Sequence, residues 1–300
     1  MKNIIVVTGG AGFVGSNLIS LLIKKTKYKI ISIDNYSTGS KKNHKQNKRI
    51  NYIKGNTKNI ATILKNKANK IKTIFHFGEF ARIYQSFLKM SECIDSNSVG
   101  SNAVFNFCLT NNIKLFYSAT SASLGNKGKD KNLSPYAFTK SKNLEMLENL
   151  KKWFDMKYEV VYFYNVYGEG QIRSGRMATV IGIFEDQYKE NKDLPVVRPG
   201  NQSRRFTHIK DTIEVCYLAW RKNKCKHYSI SSKKSYTIME VAKMFKSKIK
   251  YLPPRAGERF ASALTNMNFS NTVHRHYGKI DLKDYIKNFI KTYKNWDKSS

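Results

Sequence analysis

The stretch LSPYAFTK, residues 133–140, places a tyrosine and a lysine where they could act together. Ser134 can cap a helix and Pro135 suits its first turn, so Tyr136 and Lys140 fall one turn apart on one face. A phenol of ordinary pKa, about 10, is a poor base at neutral pH. A nearby ammonium favours the phenolate and makes it a proton acceptor. Tyr-x-x-x-Lys is common by chance on surface helices, but its position here is informative. The preceding apolar run, LFYSAT (115–120), ends in Thr120, whose hydroxyl can bond the same substrate oxygen as Tyr136.

A second constellation lies near the start. VVTGGAGFVGSNL carries Gly9, Gly12 and Gly15 at the junction of an apolar strand and a helix. Glycine there permits a tight turn and a close approach of backbone to a pyrophosphate, and the helix N-terminus offers unpaired N–H groups. Asp34 ends the next apolar run, 19 positions after Gly15. A carboxylate at that point accepts hydrogen bonds from a ribose and repels a 2′-phosphate, which favours NAD over NADP. Lys41 and Lys42 follow closely and could offset that repulsion.

The elements that must hold these groups are visible in the pattern. Runs at 3–8, 29–34, 50–54, 72–77, 114–120 and 158–164 read as strands. Several are apolar at consecutive positions, as in parallel sheets buried on both faces. Helical patterns at 13–25, 91–111 and 135–155 alternate with them. The βαβ rhythm predicts an α/β fold, a doubly wound parallel sheet of Rossmann type. After about residue 165 the rhythm breaks into shorter elements and Gly, Pro and Arg loops. Residues 1–165 are therefore expected to form an NAD-binding domain, with part of 206–225 returning to it, and 166–300 a smaller α/β substrate-binding lobe.

Composition narrows the class. Hydrophobic content of 41% is that of a folded chain. No apolar run reaches the roughly 20 residues of a membrane span, and NIIVV is too short for a signal peptide. Cys93, Cys108, Cys216 and Cys225 form no CxxC pair, which suits reduced thiols in a cytoplasm. The histidines lack metal-ligand spacing, so no metal is expected. The net charge of +33 could suggest nucleic acid, but only 11 of the 54 basic residues are Arg and the lysines are spread along the chain. That reads as compositional drift, with a diffuse field that attracts small anionic substrates.

Eight motifs in order carry a resemblance. They are TGGAGFVG, DNYSTG (34–39), FHFGE (75–79), SNSVGSN (96–102), SPYAFTK, YFYNVYGEGQ (162–171), SRRFTHIKD (203–211) and PRAGE (254–258). Together they resemble the extended short-chain dehydrogenase/reductases, specifically the NAD-dependent nucleotide-sugar epimerases and dehydratases, over nearly the whole chain. The resemblance implies that Thr120, Tyr136 and Lys140 are catalytic. It places NAD against Gly9, Gly12, Phe13, Val14, Gly15, Asp34, Asn35, Ser37, Thr38, Gly39, Asn56, Thr57, Phe77, Gly78 and Asn97 as well as Tyr136 and Lys140. It places a nucleotide sugar against Glu79, Thr120, Ser121, Asn165, Arg204, Arg255, Glu258 and Ser262.

The departures from the family pattern discriminate among reactions. Sugar 4,6-dehydratases usually follow the catalytic Thr with Asp-Glu. Here Ser121 and Ala122 follow, and neither serves as a general acid or base near neutrality. That points to a 4-epimerase: Tyr136 takes the C4-OH proton as C4 hydride passes to NAD, the 4-keto sugar turns, and both return on the opposite face. A small Ser262, or Ala261, would leave room for an N-acetyl group at C2. Asn56 replaces a common Asp but can still accept a hydrogen bond. Arg205 replaces a common Asp without an evident role. Glu79 stands where relatives carry a small apolar residue, and a hydrogen bond to Arg82 or to backbone is weighed there against a contact to the sugar or an acid/base role.

The expected function is 4-epimerisation of a UDP-hexose or UDP-N-acetylhexosamine for polysaccharide precursors, in a cytoplasmic homodimer that pairs helices 91–111 and 135–155. Dehydratase, decarboxylase and 4-ketoreductase fates of the same intermediate are the alternatives, together with a lapsed nucleotide-binding protein.

Overall fold

The computed structural model describes residues 2–123, 130–254 and 273–297. The first half runs β1 (Ile4–Thr8), α1 (Phe13–Lys25), β2 (Lys29–Asp34), β3 (Ile50–Lys54), α2 (Ile60–Leu64), β4 (Ile71–His76), α3 (Ile83–Leu88), α4 (Met90–Ile94), α5 (Ser101–Thr110), β5 (Lys114–Thr120), α6 (Pro135–Phe154) and β6 (Tyr158–Phe163). The second half runs β7 (Asn165–Tyr167), α7 (Val180–Lys189), β8 (Leu194–Val197), β9 (Ser203–Arg204), β10 (Phe206–His208), α8 (Ile209–Lys222) and β11 (His227–Ser231). It continues with β12 (Tyr236–Thr237), α9 (Ile238–Met244), β13 (Ile249–Leu252), β14 (Val273–Tyr277) and α10 (Leu282–Asp297).

Eight strands form one parallel sheet in the order β14-β11-β6-β5-β4-β1-β2-β3. This is the expected Rossmann-like doubly wound arrangement. Alternation within β1 explains why its residues are apolar without interruption. Ile4 and Val6 enter one buried cluster with Phe105, Tyr117 and Leu147, while Ile5 and Val7 enter another with Leu18, Phe116 and Trp220. A third cluster, including Tyr167, Phe184, Phe206, Phe245 and Ile286, belongs to the second half. The chain also returns to the large sheet late, through β11 and β14.

Two local differences from the sequence pattern matter for the site. The helical pattern at 91–111 is not one helix: a π-helical turn at Asp95–Gly100 separates α4 from α5. The wide turn brings Asn97 inward to grip the backbone of Phe80, a constraint that periodicity does not register. The helix at 135 begins as the sequence indicates, with Ser134 Oγ accepting the Ala137 N–H at 3.1 Å.

Strand order reverses between β1 and β4, the place where open α/β sheets form a ligand crevice. The turns after these strands almost touch. Gly9 has φ +68°, and a Cβ on it would lie 2.8 Å from the Gly78 nitrogen. A Cβ on Gly15 would run into the Gly9 carbonyl oxygen, whereas one on Gly12 would meet that oxygen at 3.1 Å. Gly15→Ala is therefore expected to cost roughly 1–3 kcal/mol, as overpacking against rigid backbone does, and Gly12→Ala distinctly less. Urea midpoints of the two variants check this ordering, and equal midpoints would contradict it.

Candidate active site

A cleft of about 780 Å³ opens over the carboxyl edge of the sheet. One wall is the glycine turn. Gly12 caps α1 without any side-chain hydrogen bond, and no acidic residue occupies the first turn. The N–H groups there and the positive end of the helix are thus free for an anion. Phe13, Val14 and Gly15 line the same wall. Asp34, buried at the end of β2, accepts from the Ala11 N–H at 2.9 Å on one oxygen and from the Tyr36 N–H at 2.8 Å on the other. Each oxygen keeps a lone pair for a ribose hydroxyl. Asn35, Ser37, Thr38, Asn56, Thr57, Phe77 and Gly78 also line the cleft. A side chain on Gly39 would collide with the Asp34 carboxylate. Lys41 and Lys42 are exposed and do not line the cleft. These residues fit a dinucleotide: free helix N–H groups for its pyrophosphate and a fixed carboxylate for its adenine ribose.

Asn97 is placed differently from the sequence expectation. It is fully buried and does not line the cleft. Its Oδ1 accepts the Phe80 N–H at 2.7 Å, and its Nδ2 donates to the Phe80 carbonyl at 3.1 Å and to Thr139 Oγ1 at 3.2 Å. It clasps the loop after β4 to α6.

At the other end Thr120, Ser121, Tyr136 and Lys140 come together on the cleft. Thr120 Oγ1 accepts the Ala122 N–H at 3.2 Å, which leaves its own proton to donate. The Tyr136 N–H bonds Ser86 Oγ of α3 at 3.2 Å, fixing the start of α6. Lys140 donates to the Ser118 carbonyl and to Glu79 Oε2, with lysine and glutamate side chains only 5% and 3% exposed. Burial lowers the lysine pKa and the adjacent glutamate works against that lowering.

Glu79 therefore does not bond Arg82, the partner considered from sequence. Its Oε1 instead accepts from Ser101 Oγ at 2.9 Å, Tyr117 OH at 3.0 Å and Asn143 Nδ2 at 3.2 Å. Behind Ser101 stands His76, a group the sequence did not single out. Its Nε2 lies 2.9 Å from Ser101 Oγ and its Nδ1 2.8 Å from Thr8 Oγ1. Ser101 gives its only proton to Glu79, so it accepts from His76 Nε2–H, and Thr8 donates to Nδ1 while accepting the Phe77 and Gly78 N–H groups. The ring is neutral, and burial pushes its pKa down to about 4. Its FHF context offered no cue to this role, because the partners come from β1 and α5.

Asn165 and Arg204 line the cleft from the second half. Asn165 Nδ2 donates to the Arg205 carbonyl at 3.1 Å. Arg205 turns away and donates to the carbonyls of Ser232 and Lys233 at 2.8 and 2.5 Å, pinning that turn. Arg255, Glu258, Ala261 and Ser262 lie outside the described residues. Among the described residues no group of His, Cys, Asp and Glu could hold a metal ion, and no helix is long and apolar enough to cross a membrane.

Comparison with known proteins bears on the same residues. Residues 5–231 match the model of the NAD dependent epimerase/dehydratase family. The chain is 27% identical to a putative UDP-glucose 4-epimerase of Methanocaldococcus jannaschii, covering 97% of this chain and 98% of that one. It is 30% identical to an ADP-L-glycero-D-manno-heptose-6-epimerase of Brachyspira hyodysenteriae, covering 81% and 80%. A UDP-glucuronic acid 4-epimerase from Bacillus cereus, solved with UDP-glucuronic acid and NAD, superposes with a TM-score of 0.81 at 22% identity over 98% of this chain and 99% of that one.

The buried His76 makes stability depend on pH. Above the ordinary histidine pKa of 6.5 both folded and unfolded forms are neutral. As pH falls from there toward about 4 the unfolded chain takes up a proton that the folded chain refuses, so stability is lost across that window, by roughly 3 kcal/mol. His227, also lowered to about 4 by burial, adds to the loss. His76→Gln should remove the first contribution: its denaturation midpoint should fall less than wild type on acidification. Parallel acid profiles would refute the assignment.

Proposed function

Because the chain belongs to the NAD-dependent epimerase/dehydratase family, whose cofactor is NAD, we propose that it is a nucleotide-sugar 4-epimerase acting on a UDP-hexose or UDP-N-acetylhexosamine. The observation that carries this reading is that, among the described residues, no unpaired carboxylate stands at the reacting end. Among the described residues the cleft-lining carboxylates are Asp34 at the far end, Glu79 held by Lys140, Glu92 paired with Lys89 at 2.6 Å and Asp95 paired with Lys58 at 3.1 Å. Ser121 and Ala122, beside Thr120, are buried and carry no carboxylate. Among the described residues nothing there is placed to expel a C6 hydroxyl, which favours return of the hydride to the 4-keto sugar over dehydration.

In this reading Thr120 donates a hydrogen bond to the sugar C4 oxygen and Tyr136 accepts its proton, then returns it. NAD, when bound, would supply the acceptor and donor for the C4 hydride. Lys140 spends two of its three N–H groups on Glu79 and Ser118 and keeps one for a ribose hydroxyl. The diphosphate is gripped by Arg204, together with Asn165 and Arg255; Arg204 is itself nearly buried in the cleft wall.

A homodimer belongs to the same proposal. Leu88, Met90, Ile94 and Val99 and, from α6, Phe138, Met146, Trp153 and Phe154 are all more than 40% exposed. Large side chains left in water on neighbouring helices favour a face that meets a second copy. Expression in polysaccharide-precursor synthesis and a cytoplasmic location complete the reading.

Two measurements test it. Proton NMR of UDP-glucose or UDP-N-acetylglucosamine incubated with the purified protein, without added NADH, should show the C4 epimer appear. A 4-keto-6-deoxy sugar, loss of carbon dioxide from a uronate, or a need for stoichiometric NADH would sink the 4-epimerase assignment. Sedimentation should give twice the chain mass, and Val99→Arg should return it to the monomer; a wild-type monomer would end the dimer proposal.

A further inference from the structure

Glu79 departs from the family pattern, and the reaction above gives it no part. Its side chain is only 3% exposed, and a buried carboxylate without partners would be costly. Four donors meet it. Oε1 accepts from Ser101 Oγ of α5 at 2.9 Å, Tyr117 OH of β5 at 3.0 Å and Asn143 Nδ2 of α6 at 3.2 Å, and Oε2 accepts from Lys140. A carboxylate has about four lone-pair sites. All of them are taken, which argues for work inside the protein rather than on a sugar hydroxyl. Two of the four donors, Lys140 and Asn143, sit one turn apart on α6. The carboxylate therefore grips that helix at two points and fixes which face of it meets the cleft.

Lys140 is the partner whose state depends on this contact. Its side chain is 5% exposed, and a buried ammonium gives up its proton readily. Burial lowers its pKa, and Glu79 works against that lowering. The Ser118 carbonyl accepts a second N–H, and the Tyr117 ring centroid lies 4.5 Å from Nζ. Both orient the ammonium, but neither carries a full charge. The titratable groups facing Lys140 from the packed elements do not supply one either. Tyr117 of β5 is kept protonated by burial and by Glu79. Burial pushes the pKa of His76, at the end of β4, down to about 4 and raises that of the Cys93 thiol of α4. Tyr136 lies one turn back on α6 and is the group that Lys140 serves. Among the described residues Glu79 is the one carboxylate paired with Lys140.

We propose that Glu79 is a positioning residue that holds the Lys140 side chain charged and aims its remaining N–H into the cleft. It acts through Lys140 and touches neither sugar nor cofactor. The proposal rests on Lys140 serving Tyr136 and the cofactor as set out above.

The test reads the charge of Lys140 directly in the NAD-loaded protein. Proton–carbon NMR of protein made with lysine labelled at Cε follows each ammonium through its titration, and Lys140→Met identifies the signal by its loss. In wild type the signal should be that of an ammonium at neutral pH. Glu79→Gln should move the titration to lower pH, leaving roughly tenfold less ammonium at a fixed pH within the transition, the size of one opposite charge lost at close range. Glu79→Asp keeps the charge at longer reach and should show a smaller shift in the same direction. Ser101→Ala removes one donor from Glu79 and leaves the ion pair, so it should lower the denaturation midpoint and hardly move the titration. The alkaline limb of kcat/KM should follow the Lys140 titration in each variant. A neutral Lys140 in wild type at neutral pH would overturn the proposal, whether or not Glu79→Gln folds. So would an unmoved titration in Glu79→Gln, a larger shift in Glu79→Asp, or an equal shift in Ser101→Ala. The titration needs no sugar nucleotide. A failed epimerase assay therefore leaves it standing, and an unmoved titration leaves the epimerase reading standing.

Discussion

The buried pair of Lys140 and Glu79 holds the reacting end of the cleft together. Glu79 sits on the loop after β4, Lys140 on α6, and the carbonyl they share a donor with is Ser118 of β5. Asn143, one turn beyond Lys140, bonds Glu79, Tyr117 and the Asn97 carbonyl, and Asn97 grips Phe80. Ser101, His76 and Thr8 extend the chain of hydrogen bonds to β1. The glycine turn follows Thr8 directly. One polar column thus links Lys140, one helical turn beyond Tyr136, with the turn expected to carry the cofactor.

Such a column is costly to bury and stable only when complete. An isolated ion in the interior costs several kcal/mol, and a close partner offsets that only if the remaining lone pairs and protons are satisfied. Here Glu79 receives four donors and Lys140 two acceptors. Neutral His76 closes the far end, because a charged ring would leave a proton without an acceptor. Such networks specify one arrangement more than they add net stability. The consequence for chemistry is that Lys140 is fixed in position by Glu79 and the Ser118 carbonyl.

The two ends of the cleft were legible in the sequence to different degrees. At the cofactor end the sequence showed the glycine turn and the strand-terminal Asp34, and the structure sets both on one cleft. Gly9, Gly12, Gly15 and Asp34 act through backbone geometry and strand ends, and such requirements leave short, ordered marks. The start of α6 was equally clear, since Ser134 and Pro135 are local signals. Asn97 misled, because the motif that contains it shows only that the residue matters. The π-helical turn that points it at Phe80 is set by a contact made after folding. Glu79 was noticed as a departure, but its partner was misjudged: Arg82, three residues on, was weighed, and Lys140, 61 positions away, was the answer.

What the sequence determined by itself was therefore the family of solutions: a parallel sheet, a dinucleotide turn after its first strand, and a tyrosine and a lysine one helical turn apart. Periodicity, glycine and helix caps encode these over a few residues, and local sterics are enough to read them. The tertiary structure alone decided which charges meet. His76 became a neutral spacer, Arg205 a clamp on the turn at 232–233, and Glu79 the partner of Lys140. Each of these outcomes depends on side chains that converge from separate elements onto one desolvated point. There the strength of an interaction is set by distance and burial, and neither is written in the order of the residues.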